Sequence, residues 1–185
     1  MRVITGSAGG LKLKSVPGLE TRPTGDKVKE GLFSAIQFEL EGRKVLDLFA
    51  GTGQLGIEAL SRGAESAVFI DNSPEAFHVI EENLAHTGLA DRAVVIRTDY
   101  KAYLKSAPKR RFNIIFLDPP YRQGYITRII SFIESFDILA ENGIIVCESA
   151  LSDSVPDSGD YLEKFRSYRY GQTAVTIYRK RGEEK

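Results

Sequence analysis

The chain predicts an α/β fold in which a parallel sheet is covered on both faces by helices. Two observations carry this. From Val45 onward, short apolar runs alternate with amphipathic stretches, and the first run opens into a glycine-rich turn. At 185 residues, with 42% hydrophobic and 27% charged side chains, the chain fills one sizeable core and is too short for two ordinary domains. Residues 1–40 are expected to form a small hairpin-plus-helix appendage, and residues 41–185 the main domain.

The appendage begins with apolar–polar alternation in Arg2-Val3-Ile4-Thr5 and again in Leu11-Lys12-Leu13-Lys14, with Gly6, Gly9 and Gly10 between, which reads as a two-stranded hairpin. Thr24 is placed to cap a helix running through Lys27 to Ile36, with Val28, Leu32, Phe33 and Ile36 on one face. The strands of the main domain are read at VLDLF, SAVFI, AVVI, FNIIFL and GIIVCE. Between them lie helices over Leu55–Leu60, Pro74–Leu84, Tyr100–Leu104 and Ile126–Leu139. Ser73-Pro74-Glu75 is a strong helix opening: a capping hydroxyl, a proline in the first turn and an acid at the positive helix end. The segments Tyr161–Tyr170 and Thr173–Arg179, split by Gly171, close the chain as an antiparallel pair.

Composition excludes several functions. The start lacks the basic-then-apolar layout of a signal peptide, and no apolar run approaches the ~20 residues that span a bilayer, so a cytosolic (cytoplasmic) protein is expected. The single cysteine, Cys147, sits in an apolar run and reads as a core thiol. His78 and His86, eight apart on one helix, form no credible metal site, and no metal is expected. Net charge is zero, with 25 basic and 25 acidic residues, yet residues 131–163 carry eight acids and no base while 101–111 and 164–180 each carry five bases and no acid. That pattern permits a basic face opposite an acidic one.

The chemistry is written at three strand ends. Asp47-Leu48-Phe49-Ala50-Gly51-Thr52-Gly53-Gln54-Leu55-Gly56 joins the first core strand to its helix and contains G-x-G-x-x-G. Asp71, 20 residues after Gly51 and followed by Asn72, is placed to accept hydrogen bonds from ribose hydroxyls. Both features suit any adenosine-bearing cofactor. Asp47 separates the candidates, because a carboxylate at the strand end opposes a pyrophosphate but attracts an ammonium and a sulfonium. S-adenosyl-L-methionine is therefore the expected cofactor, rather than NAD. Asp99, with Tyr100 after it, either accepts from the adenine amino group or caps the following helix, and the two roles are compatible.

The fourth strand ends in Asp118-Pro119-Pro120-Tyr121. An exocyclic amine on a base is a poor nucleophile because its lone pair is delocalised into the ring. If Asp118 and the Pro119 carbonyl each accept an amino hydrogen, the nitrogen moves toward tetrahedral geometry and its lone pair can meet a methyl group. Two prolines hold those acceptors at little entropic cost, and Tyr121 offers a face for an unstacked base.

Taken with Arg2-Val3-Ile4 and Gly6, Thr21-Arg22-Pro23-Thr24 and Asp26, the loop from Asp47 to Gly53, and Asp118-Pro119-Pro120-Tyr121, the chain from Arg2 to about Arg179 resembles the bacterial small-subunit (16S) ribosomal RNA guanine-N2 methyltransferases. The resemblance implies a seven-stranded, mostly parallel class I methyltransferase sheet. It implies N2 methylation of a guanine in small-subunit rRNA, presented in an assembled or partly assembled subunit. A monomer is the default expectation for so small an enzyme. Arg22, Thr24 and Lys27 would lie at the mouth of the site, and the hairpin residues Arg2, Lys12 and Lys14 would grip RNA. The chain departs from the family at Ala8-Gly9-Gly10-Leu11, where a more basic stretch is usual. Competing readings are an adenine-N6 or cytosine-N4 amino-methyltransferase of DNA or RNA, and a non-catalytic RNA-binding assembly factor.

Overall fold

The computed structural model describes residues 1–16, 25–120 and 124–181. Seven strands form one sheet: β1 (Lys44–Asp47), β2 (Ser66–Asp71), β3 (Ala93–Arg97), β4 (Phe112–Leu117), β5 (Leu139–Ala150), β6 (Leu162–Tyr170) and β7 (Thr173–Lys180), in the order β3-β2-β1-β4-β5-β7-β6. Strands β1 to β5 are parallel, and β7 lies antiparallel between β5 and β6. The change of direction follows from the connections. Parallel neighbours need a crossover, which the helices supply, whereas β6 and β7 are joined by a tight turn at Gly171, whose φ is 60°.

Helices α1 (Asp26–Ala35), α2 (Gln54–Ser61) and α3 (Pro74–Thr87) cover one face, burying Leu32, Phe33, Ile57 and Ile80 against Val45, Phe69 and Phe116. On the other face, α4 (Tyr100–Ser106) and α5 (Tyr125–Ser135) bury Leu104 and Ile129 against Leu46, Ile115 and Cys147. Alternate residues of each central strand thus enter opposite cores, which is why those strands read as unbroken apolar runs. The expected α/β class, a mostly parallel seven-stranded sheet with helices on both faces, is what the chain forms. No helix among the described residues is long and apolar enough to cross a membrane.

Three local expectations need correction. The helix expected through Leu139 stops at Ser135, because Asp137 takes a left-handed φ of 51°, and β5 then begins at Leu139. Aspartate tolerates that conformation better than most residues. The N-terminal hairpin contracts to a single bridge, Arg2↔Lys12, supported by Val3 N–H donating to the Leu11 carbonyl at 2.9 Å. The charge runs do not separate into two faces: Arg110 pairs with Asp137 at 2.7 Å, Lys180 with Glu141 at 3.0 Å, and Lys164 with Asp157. The expected cap Thr24 lies outside the described residues.

Every residue of α2 is buried, so the helix needs cover on its outer side as well as from the sheet. The N-terminal segment supplies it. Val3 and Ala8 join the core, and the Glu58 carboxylate accepts from the Ile4 and Thr5 N–H groups at 2.7 and 3.0 Å. Arg62 Nε lies 2.7 Å and Lys29 Nζ 3.7 Å from the same carboxylate, so these partners offset the desolvation of a fully buried acid. Burial holds the Lys29 ammonium below its usual range despite Glu58 and Asp26 nearby. Ala8, at the family departure, is only 2% exposed and gives its N–H to Ser61 Oγ at 3.0 Å, so that position faces α2 rather than a partner.

Candidate active site

Strand order reverses around β1, which has β2 on one side and β4 on the other, and this opens a crevice at the carboxyl ends of the strands. Three carboxylates rim or floor it. Asp47, at the end of β1, is 1% exposed and accepts from the Gly56 N–H at 3.0 Å through Oδ2. Its Oδ1 is buried with no hydrogen-bond partner among the described residues. Burial pushes the Asp47 carboxyl up to about 7; the Gly56 N–H opposes that shift and the Asp71 charge adds to it. Asp71, at the end of β2, accepts from the Gly51 N–H at 2.8 Å and from the Ser73 N–H at 2.9 Å. Asp99 caps α4, accepting from the Lys101 N–H at 2.9 Å. The capping role is therefore observed, and it leaves lone pairs on the same carboxylate for a ligand.

The loop between β1 and α2 is shaped by its glycines. Gly53 stands at the N-cap of α2 with φ 77°, and Gly51 has φ 55° with no atom within 4 Å of where a Cβ would project. Backbone is thus presented bare at the crevice, while Ala50 and Gly53 are buried beneath it. Gly56 serves packing instead, since a Cβ there would lie 2.3 Å from the Phe69 ring, and the glycine lets α2 sit close to β2. Asn72, beyond the strand end, is exposed.

Aromatic rings wall the crevice. Phe49 lies with its centroid 5.2 Å from Tyr100 and 5.9 Å from Tyr125, and the two tyrosine rings are 5.6 Å apart. Burial, with Tyr125 and Asp99 nearby, pushes the Tyr100 hydroxyl up to about 12, so it stays protonated. Tyr125 was missed by sequence reasoning. Its signal was only an aromatic opening a helix close behind the Asp-Pro-Pro motif.

Asp118 follows β4 directly. Asp47 is in register with Phe116, and Leu48 N–H donates to the Phe116 carbonyl at 3.2 Å, so β4 delivers Asp118 to the strand end beside Asp47. Asp118 is half-buried, Pro119 buried and Pro120 exposed, whereas Tyr121 lies outside the described residues. Burial, then the charge of Asp118, pushes the Cys147 thiol far above its usual range, which disfavours the thiolate and fits a core thiol.

Of the residues expected to contact RNA, Arg2, Lys12, Lys14 and Lys27 are exposed, and Arg22 and Thr24 lie outside the described residues. Arg2 is 3.6 Å from Asp26, and Lys14 is 3.1 Å from Glu82. His78 is exposed and within 3.8 Å of Glu81, as a surface histidine on α3. A fully buried residue that the sequence reading passed over, Asn83 of α3, stands behind the glycine loop: its amide donates to the Thr52 carbonyl at 2.9 Å. The signal was present, because Asn83 is the polar member of the buried α3 stripe Ala76, Val79, Ile80, Asn83 and Leu84.

Comparison with known proteins agrees with this architecture. The family model described as conserved hypothetical protein 95 matches residues 1–179. YlbH of Bacillus subtilis, named as a putative rRNA methyltransferase, is 44% identical over 184 residues, which span 98% of this chain and 100% of that protein. Ribosomal RNA small subunit methyltransferase D of Escherichia coli K12 is 35% identical over 184 residues, 97% of this chain and 90% of that one. The solved structure of yhhF from Escherichia coli superposes with a TM-score of 0.87 at 32% identity, covering 98% of each chain. The chain therefore belongs to the conserved hypothetical protein 95 family, the family of ribosomal RNA small subunit methyltransferase D.

Proposed function

We propose that this protein transfers a methyl group from S-adenosyl-L-methionine to the exocyclic N2 amine of a guanine in small-subunit ribosomal RNA, acting on an assembled or partly assembled subunit. The observation that carries the reading is the delivery of Asp118-Pro119 to the strand end beside the buried, half-satisfied carboxylate of Asp47. The residues fit the cofactor. Asp47 Oδ1 is an orphaned buried acceptor suited to the ammonium, Asp71 has acceptor capacity left for ribose hydroxyls, and Gly51 presents open backbone. Phe49, Ala50 and Gly53 shape the floor, and Asn72, Asp99 and Tyr100 border the adenine end. When bound, the cofactor supplies a methyl group activated by attachment to a sulfonium.

The remaining work falls to the chain. Asp118 and the Pro119 carbonyl would accept the two amino hydrogens and hold the amine with its lone pair free to take up the methyl group. The methylated nitrogen would carry one surplus proton, which Asp118 would accept and pass to solvent. Pro120 would keep the turn rigid, Tyr121 is assigned to stacking on the base, Arg22, Thr24 and Lys27 to RNA contact near the site, and the exposed Arg2, Lys12 and Lys14 to gripping RNA beyond it. The relative of known name, ribosomal RNA small subunit methyltransferase D, supports rRNA as the substrate.

The test is incubation with labelled S-adenosyl-L-methionine and undermethylated small subunits, naked small-subunit RNA or DNA, followed by nucleoside mass spectrometry. N2-methylguanosine from the subunits is the expected product. Label in adenine or cytosine would overturn the choice of base, and no label anywhere despite cofactor binding would favour an assembly factor.

A further inference from the structure

Asn83 does more than tie the glycine loop. Its fully buried amide also pairs with Lys14 as a neighbouring strand would: Oδ1 accepts the Lys14 N–H at 2.8 Å, and Nδ2 donates to the Lys14 carbonyl at 3.1 Å. The same Nδ2 donates to the Thr52 carbonyl at 2.9 Å, between Gly51 and Gly53. One rigid group thus bonds the backbone of the basic N-terminal segment and the backbone of the loop that faces the crevice. A second contact runs in parallel, since the Thr52 hydroxyl donates to Met1 Sδ at 3.2 Å.

The Lys14 side chain points the other way. Its ammonium is exposed and 3.1 Å from Glu82, the residue just before Asn83. A phosphate approaching this surface would exchange Glu82 for itself on the Lys14 ammonium and hold Lys14 in place. Anything that immobilises Lys14 also immobilises the amide that anchors Thr52, so ordering of one backbone lowers the cost of ordering the other.

We propose that Asn83 is a positioning residue that couples the two binding events: an RNA phosphate on the Lys14 surface tightens the cofactor loop, and cofactor in the loop tightens the RNA grip. The coupling rests on the function proposed above. By linkage it is reciprocal, so each ligand improves the affinity of the other by the same factor, about fivefold at the lower end of typical couplings.

The experiment uses S-adenosylhomocysteine as a non-reacting probe and the full chain. Equilibrium dialysis gives its Kd with and without saturating small-subunit ribosomal RNA, for the wild type, Asn83→Ala and Asn83→Asp. Asn83→Asp keeps an acceptor for the Lys14 N–H and removes the Nδ2 donor shared by the Lys14 and Thr52 carbonyls, while the Lys14 ammonium stays in place in both variants. The wild type should bind the probe about fivefold more tightly with RNA present. Both variants should lose the RNA effect and also bind the probe more weakly without RNA. A merely structural role for Asn83 would lower the melting temperature of the variants but leave the RNA effect intact in those that remain folded, and that result overturns the proposal. Equal Kd values with and without RNA in the wild type also overturn it, while the proposed function stands. Failure of the wild type to bind the probe at all would overturn both.

Discussion

The two ends of the sheet both carry charges and use them in opposite ways. At the end where the parallel strands begin, acids and bases are matched: Lys44 with Glu65 at 3.6 Å, Arg179 with Glu39 at 2.7 Å, and Arg110 with Asp137 at 2.7 Å. At the end where they finish, Asp47, Asp71 and Asp99 accept from backbone N–H groups, and none joins an ion pair among the described residues. The paired end is a solvated surface, where each pair contributes little. At the other end, Asp47, Asp71 and Asp99 pair with no cation among the described residues, and Asp47 is buried so deeply that its charge is costly without one. The contrast teaches where to look for a ligand, and of which sign.

The largest effect should come from removing chemistry at the open end while sparing its binding groups. Asp118→Ala is expected to slow methyl transfer by ~100- to 1000-fold, in the range seen when one group that stabilises a transition state is lost. Calorimetry should show S-adenosyl-L-methionine bound almost as tightly as before. Next, Gly56→Ala should destabilise the fold by ~1–3 kcal/mol, because the new Cβ meets the Phe69 ring at 2.3 Å; a melting temperature equal to that of the wild type would show that α2 shifts freely. Asp71→Ala should weaken cofactor binding by about tenfold, ~1.4 kcal/mol, through loss of a ribose acceptor and of the Gly51 and Ser73 contacts. Calorimetric titration checks it.

A subtler effect is set by pH. Burial pushes the Asp47 carboxyl up to about 7, so above that value it is ionised and, in its proposed role, would attract the cofactor's positive groups, an attraction lost below it. Affinity for S-adenosyl-L-methionine should therefore fall as pH drops from 8 to 6, and Asp47→Asn should flatten that dependence. Stability runs the other way. A carboxyl raised above its unfolded value of ~3.9 favours the folded state as pH falls from 7 toward 4. At the paired end, Arg110→Ala should leave both transfer and melting temperature close to wild type, since Arg110 is solvent-exposed.

Much of this contrast was legible in the chain because it rests on local patterns. β4 matches its expected range of Phe112–Leu117, and Ser73 caps α3 through the Ala76 N–H at 3.1 Å. Asp47, Asp71 and Asp118 were recognisable because strand ends and glycine spacing place them without knowledge of distant contacts. What escaped notice depends on residues far apart in sequence. Lys29 looks like a solvated helix lysine until Glu58 and the N-terminal backbone close over it. Asn83 looks like an ordinary polar residue until Lys14 and Thr52, 69 and 31 positions away, meet its amide. Runs of like charge misled for the same reason, since Arg110 finds Asp137 only when β4 and β5 pair.

Asp47, Asp71 and Asp99, which join no ion pair among the described residues, are proposed to favour a cationic adenosine cofactor over one that carries a pyrophosphate. Titrating the purified protein with S-adenosyl-L-methionine and with NAD at pH 8, by calorimetry, tests this most directly. Saturable binding of S-adenosyl-L-methionine at one site per chain, with no heat from NAD, is the predicted result. Binding of NAD as tight as that of S-adenosyl-L-methionine, or binding of neither, would contradict it.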